Sequence, residues 1–433
     1  MTSIPALLLL ALAAAQNAPT ALSPAERALT AFVDKDYDRA LALLERVVNI
    51  NSGTMNLAGV REVGDALRPE FDALGFKTVW VDGTSFGRAG HLIADHPGTG
   101  PRILLIGHLD TVFEPDSPFQ KFERLSPTAA KGPGTTDMKG GNVVMIHALR
   151  ALHSTGALKS MNIVVVLTGD EEAAGRPLSA SRAALVKAAQ GADVAIGFED
   201  GDGDPKTAVI GRRGTTNWEL RVKGKPAHSS QIFNAENGYG AVFEAARILN
   251  AFRERLAGQA HLTFNPGVIV GGTTVDYDEK ASRGTGFGKS NVIAEHTVVT
   301  GDLRALTPEQ FAAAKKSMQE IVAASLARTS ATLTFDDGYP PLAPTAGNER
   351  LLALYNRASL DVGAGPVVAV DPDKAGAADV SFVSGQVGMI LDGVGLMGTG
   401  GHTVHETADL TTLPVMVKRM AVLLSRLQRD GIR

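Results

Sequence analysis

The stretch Val164-Val-Val-Leu-Thr-Gly-Asp170-Glu171-Glu172 restricts this chain more than any other: an unbroken apolar run ends in three consecutive carboxylates, and no basic residue follows before Arg176. An apolar run of this length without polar alternation suits a strand covered on both faces, as in sheets wrapped by helices. Adjacent carboxylates repel, so they coexist only if water solvates them, one stays protonated, or something positive lies between them. The readings are therefore an ordinary acidic surface loop or a site for a divalent metal.

Two further runs repeat the pattern. Ile103-Leu-Leu-Ile-Gly-His108-Leu-Asp110-Thr ends in a His and an Asp two positions apart, which puts both side chains on one side of an extended chain. Val194-Ala-Ile-Gly-Phe-Glu199-Asp200 ends in two acids. Open α/β sheets place their sites at strand ends, and a metal-bound His needs a partner on its other ring nitrogen, which a nearby Asp supplies. Two glycine-rich turns add further polar groups. Gly132-Pro-Gly-Thr-Thr-Asp137-Met-Lys-Gly-Gly141 precedes a helical pattern over 143–152, and Gly398-Thr-Gly-Gly-His402-Thr-Val-His405-Glu406 precedes an apolar-striped helix over 413–427. Glycine permits backbone conformations that aim one side chain inward, although a capping Asp or a loop His explains either turn taken alone. The first turn does not have the spacing of a phosphate-binding loop. Five polar clusters at strand ends are hard to obtain from solvated loops. With no cysteine in the chain, a metal must be held by His, Asp and Glu, a donor set that suits zinc, with cobalt or manganese as substitutes.

At 433 residues the chain exceeds one ordinary core, and its character changes along its length. Helical spacing over 37–48 and 60–74, the strand-like Phe76-Lys-Thr-Val-Trp-Val and the runs above make the first part an α/β sheet. From about residue 213, Trp218, Leu220 and Val222 alternate with Asn217, Glu219 and Arg221, the mark of a sheet with one wet face. A helix over 237–252, strands over 267–270 and 292–303, and a helix opened by Thr307-Pro-Glu-Gln complete a small α+β domain over 213–338. This domain is inserted into an α/β domain made of 22–212 and 339–433. The Gly- and charge-rich stretch 276–289 reads as a mobile loop. Residues 1–18 carry an apolar run from Ile4 to Ala15 that is too short to span a bilayer and reads as a secretory leader cut near Ala15 or Ala18. A net charge of −4 and a pI near 6.2 provide no basic field for nucleic acid or an anionic membrane, so small molecules or peptides are the expected partners.

In this order the segments resemble the zinc peptidase family that includes bacterial glutamate carboxypeptidase, succinyl-diaminopimelate desuccinylase, aminoacylase and several dipeptidases. The similarity looks closest to the glutamate carboxypeptidase branch, through Asn49-Ile-Asn-Ser-Gly-Thr, His108-Leu-Asp-Thr-Val, Gly132-Pro-Gly, Asp137-Met-Lys-Gly-Gly and Asp170-Glu-Glu, and it runs from about residue 37 to the C-terminus. The resemblance implies a mixed sheet flanked by helices, with 213–338 as a lid or dimerisation domain and a homodimer formed through it. It implies two Zn2+ ions bridged by Asp137, with His108 and Glu199 on one and Glu172 and His402 on the other. Glu199 aligns better than Asp200, and His402 better than His405. Asp110 would orient His108, and Glu171 would be the general base acting on a metal-activated water. His228, in Gly224-Lys-Pro-Ala-His228-Ser, would stabilise the oxyanion, and Asn291 and Arg304 would contact substrate; an interface or structural ion pair is the other reading of Arg304. The implied activity is removal of a C-terminal amino acid, glutamate among the candidates, from small peptides or N-acyl conjugates. An aminoacylase, deacetylase or dipeptidase would use the same centre, and a binding protein that had lost catalysis would keep the fold. The stretch 262–267 lacks an arginine found there in some glutamate carboxypeptidases, a departure that loosens any strict glutamate preference.

Overall fold

The structure, a computed structural model, describes residues 21–279 and 281–432, so the expected leader lies outside the described residues. Along the chain, α1 (Pro24–Val48) and α2 (Leu57–Asp72) lead into β1 (Lys77–Asp82), β2 (Gly90–His96) and β3 (Arg102–His108). Then come α3 (Lys139–Ser154), β4 (Asn162–Thr168) and β5 (Val194–Gly197). The next segment holds β6 (Gly214–Gly224), α4 (Gly240–Leu256), β7 (Thr263–Gly272), β8 (Thr274–Asp278), β9 (Arg283–Phe287), β10 (His296–Ala305), α5 (Pro308–Ala323) and β11 (Thr329–Asp337). The chain closes with α6 (Ala346–Asp361), β12 (Met389–Leu391) and α7 (Thr412–Asp430).

Two compact units result, one from residues up to Gly211 and from Pro344 onward, the other Arg212–Ala343. The second unit starts one residue before the expected 213 and ends five after the expected 338. The reason is local: Arg212 and Leu342 exchange both backbone hydrogen bonds at 2.9 Å and close its base.

In the first unit six strands run in the order β1-β2-β4-β3-β5-β12. The four strands from β4 to β12 are parallel, and β1 and β2 add an antiparallel edge. Ile103, Leu105, Ile163, Val165, Val194 and Ile196 point into a core shared with α1, α3 and α7. Leu104, Ile106, Val164, Val166 and Ala195, on the opposite face, are equally buried. Both faces are covered, which is why these strands read as unbroken apolar runs. The first helix is longer than its apolar periodicity indicates. It begins at Pro24, where Ser23 and Glu26 form a reciprocal capping box, and its first turns are secured by Glu26 accepting from Arg426 Nε at 2.7 Å.

A smaller antiparallel sheet in the same unit joins Gly398–Thr399, Thr407–Asp409, Ala129–Lys131 and Glu123–Ser126 in that order. It ties the segment ahead of Asp137 to both flanks of the His402 loop.

In the second unit β7, β10, β6 and β11 form an antiparallel sheet in that order. Trp218, Leu220, Val222, Val299 and Leu303 pack against α4 and α5 through Ala245, Ile248, Phe252 and Met318. The stretch 276–289, expected as a loop, belongs instead to the hairpin β8–β9. Thr274 pairs with Phe287 and Asp278 with Arg283 across it, and Tyr277 Oη bonds Thr300 Oγ1 at 3.1 Å.

Candidate metal centre

Three adjacent parallel strands deliver chemistry at their C-terminal ends: His108 closes β3, Glu171 and Glu172 follow β4, and Glu199 follows β5. Asp137 enters from the turn before α3. His402 enters from the loop before α7 with φ +61°, a left-handed conformation that non-glycine residues adopt uncommonly and His more readily than most. Gly400, at φ +78°, makes the turn possible, since a Cβ there would lie 2.7 Å from the His405 carbonyl oxygen.

Asp137 stands at the middle. Its Oδ1 lies 3.1 Å from His108 Nε2, which is also 3.6 Å from Glu199 Oε1. Its Oδ2 lies 3.0 Å from His402 Nε2, which is 3.1 Å from Glu172 Oε2. One carboxylate thus turns an oxygen toward each of two His-plus-Glu pairs, and within each group the ligand atoms lie within 4.8 Å of one another. His405 is exposed, its N–H donating to Thr403 Oγ1.

Orientation comes from behind these residues. His108 Nδ1 lies 3.0 Å from the Asp110 carbonyl oxygen, so Nδ1 carries a proton and Nε2 is the nitrogen that faces Asp137 and Glu199. The Asp110 carboxylate has a wider task than orienting His108, from whose Nδ1 its Oδ1 is 3.4 Å away. It accepts the N–H of Glu171 on Oδ1 and that of Glu172 on Oδ2, both at 3.1 Å, and the hydroxyl of Thr54 at 2.6 Å. Glu171 and Glu172 are therefore held by the same side chain.

Asp170 corrects the simplest account of the three-acid run. It is neutralised by Arg182, whose Nη1 is 2.7 Å from Asp170 Oδ1 and whose Nε is 2.8 Å from Asp379 Oδ1, all three buried. The cation that the run requires comes, for its first member, from twelve residues downstream. Glu406 is a residue that reading by motif undervalued: it is fully buried and its carboxylate accepts the N–H groups of Gly134, Thr136 and Asp137. Its position four residues after His402 was the available signal.

The electrostatics ask for positive charge. Burial, then Glu199, Asp379 and Glu172, push Glu171 well above the usual carboxylate range, although His108 opposes. Burial likewise raises Glu172 to about 7 and Glu199 to about 8. His402, between Asp137 and Glu172, is raised to about 11. The nearby Lys139 is buried and lowered by that burial to about 7, and its Nζ donates to the Ile50 carbonyl at 2.8 Å. Glu172 Oε1 is buried and has no hydrogen-bond partner among the described residues. An unpaired carboxylate oxygen, a bridging carboxylate and two imidazoles fit a pair of divalent ions better than they fit water or one another.

His228, Asn291 and Arg304, the residues expected on a lid, all fall in the second unit. His228 Nδ1 accepts from the Ser230 N–H at 3.3 Å, which leaves Nε2–H as a donor. Asn291 adjoins it, its carbonyl accepting from the Ser229 N–H at 2.9 Å, and both side chains are exposed. Arg304 is not brought to that corner. It lies eight residues beyond His296 on β10, roughly 27 Å at the antiparallel rise, and its Nε bonds Asp302 Oδ2 at 3.0 Å. The ion-pair reading of Arg304 is the one its surroundings favour.

The sequence profile described as peptidase family M20/M25/M40 matches residues 104–426. Carboxypeptidase G2 from Pseudomonas sp. (strain RS-16) is 25% identical over 378 residues, which cover 86% of this chain and 85% of that protein. A succinyl-diaminopimelate desuccinylase from Methylobacterium radiotolerans is 27% identical over 400 residues, covering 88% of this chain and 96% of that one. Among solved structures, aminopeptidase PepT from Bacillus cereus shares the fold with a TM-score of 0.71 at 19% identity, covering 90% of this chain and 98% of that chain.

Proposed function

The chain belongs to peptidase family M20/M25/M40, and from that premise we propose that it is an exported di-zinc hydrolase removing a C-terminal amino acid from small peptides or N-acyl conjugates. It is a metallohydrolase of the peptidase and deacylase kind. The observation that carries the two-ion reading is Asp137, which turns Oδ1 toward His108 and Glu199 and Oδ2 toward His402 and Glu172.

The chemistry supplied by ions at such a centre is a bound water of near-neutral pKa and a polarised scissile carbonyl. Glu171 is the general base. Burial and neighbouring carboxylates favour its protonated form, so it can take a proton on a carboxylate oxygen and hold it for the leaving nitrogen. Asp110 fixes the turn that carries Glu171 and Glu172 by accepting both their amides. His228 donates from Nε2 to the developing oxyanion, and Asn291 binds substrate beside it. Arg304 is left with Asp302.

A second reading is favoured by the relative named as a desuccinylase: the substrate would be an N-acyl amino acid rather than a peptide. Retention of the ligand set and of Glu171 argues against an inactive binding protein. The test is hydrolysis of C-terminal glutamyl, aspartyl and apolar dipeptides beside N-acetyl and N-succinyl amino acids, by zinc-loaded and chelator-treated protein. Turnover of the dipeptides that vanishes with chelator and returns with zinc supports the carboxypeptidase; turnover of N-acyl compounds alone moves the chain to the second reading.

We also propose that the second unit mediates homodimerisation. Phe233, Tyr239, Val242 and Phe243 are exposed together, with ring centroids 5.6 Å and 5.3 Å apart for Phe233–Tyr239 and Phe233–Phe243, and β7 is an edge strand with Ile269 exposed. A Phe243→Glu variant that still runs as a dimer in light scattering would remove that face from the interface. Export is proposed from residues 1–18, and a mature N-terminus that begins at Met1 would overturn it. No helix among the described residues is long and apolar enough to cross a membrane.

A further inference from the structure

The loops that carry Asp137 and His402 are separated by more than two hundred and fifty residues, yet one buried residue touches both. Glu406 Oε1 accepts from the N–H groups of Thr136 at 2.8 Å and Asp137 at 3.2 Å, and from the hydroxyls of Thr135 and Thr136 at 3.4 and 3.3 Å. Its Oε2 accepts from the Gly134 N–H at 3.0 Å. Through its main chain the same residue closes the His402 loop, donating to the Thr403 carbonyl at 3.1 Å, and accepts from the Gly132 N–H at 3.3 Å. Gly134, at φ +79°, lets these amides converge on one carboxylate. The result is a nest of backbone donors around a buried anion, the arrangement that proteins otherwise use to hold phosphate or sulfate.

The small sheet already joins the two segments through Thr407–Lys131 and Ala408–Ala130 pairs. What the carboxylate adds is the rotation of the peptide leading into Asp137 relative to the loop of His402. We propose that Glu406 is a positioning residue that sets the second metal subsite, the one made by His402, Glu172 and Asp137, by locking two of its three ligands in register. The first subsite, of His108, Glu199 and Asp137, depends on Glu406 through Asp137 alone. The inference rests on the two-ion reading above.

The experiment is a titration of metal-free, full-length protein with Co2+, followed by visible absorption and by binding heat, in wild type, Glu406→Gln and His402→Ala. The His402→Ala variant identifies which equivalent belongs to the second subsite. In Glu406→Gln that same equivalent is expected to bind ~10–100-fold more weakly, the usual cost of losing a ligand's outer support, while the other changes by less than about threefold. A merely structural role would not produce this split. If both equivalents bind as in wild type, or both weaken together with the thermal midpoint of the metal-free protein, the proposal is overturned. Should Glu406→Gln fail to fold, Thr136→Val removes one hydroxyl donor and keeps every amide; a smaller shift in the same equivalent supports the proposal, and an unchanged titration overturns it. A wild-type chain that takes up one equivalent overturns the two-ion reading itself, which separates the two failures.

Discussion

At the scale of single residues, the centre is governed by which oxygen or nitrogen faces which neighbour. Asp110 holds the amides of both Glu171 and Glu172, and what separates the two is the carboxylate: that of Glu172 reaches His402, while burial and surrounding carboxylates push Glu171 well above the usual carboxylate range. Glu171→Gln is therefore expected to keep its zinc while kcat falls ~10²–10⁴-fold, the usual worth of a general base. Metal content and turnover measured on the same sample check this, and substantial turnover would remove Glu171 from that role. Much of this was legible in the sequence, because His108, Glu171, Glu172 and Glu199 terminate apolar runs. The choice of His402 over His405 came from the resemblance, and the geometry explains it: only His402 takes the left-handed turn that brings its ring to Asp137 and Glu172. The role of Arg182 was not legible, since a buried ion pair twelve residues apart carries no local pattern.

At the scale of elements, the candidate ligands are placed by close backbone approaches that glycine allows. Gly141 lies in the first turn of α3, where a Cβ would sit 1.9 Å from the Phe198 carbonyl oxygen, one residue before Glu199. Gly141→Ala must push helix and strand end apart, and a loss of about 1–3 kcal/mol by urea unfolding is expected, with weaker metal binding at the His108–Glu199 subsite. A variant as stable as wild type would show that this contact yields without strain. The hairpin β8–β9 is the complementary case. Gly and charge concealed its strands, because pairing of Thr274–Asp278 with Arg283–Phe287 is a cross-strand property that composition does not display.

At the scale of the molecule, folding and metal binding are linked, because a cluster of buried acids is stable only with its counter-charge. Ions at 1,000 times their dissociation constant would add about 4 kcal/mol to stability, so chelation should lower the unfolding midpoint and zinc should restore it. An unchanged midpoint would argue against binding at the buried centre. The chain ends supply a pH-dependent term. Burial would raise Glu26, but hydrogen bonds from Arg426 and Ser23 outweigh it and hold the carboxyl near 2 against 4.5. A depressed carboxyl stabilises above its unfolded pKa, so this contribution is intact above about pH 4.5 and is lost as pH falls toward 2. Glu26→Gln should therefore cost about 2–3 kcal/mol at pH 7, with the deficit shrinking across that acid window. Urea unfolding at pH 7 and pH 3 measures it, and a constant deficit would exclude the linkage.

By itself the sequence determined the layered architecture and the inserted unit and singled out most of the candidate ligands, because burial on both faces of a strand and polar residues at its end are local properties of the chain. Only tertiary structure decided the register between the candidate ligands: the reach of Asp137 toward both His-plus-Glu pairs, the Asp110 hold on both glutamates and the Glu406 nest. Each of these joins atoms far apart in sequence, through hydrogen bonds whose partners are chosen by packing and not by spacing.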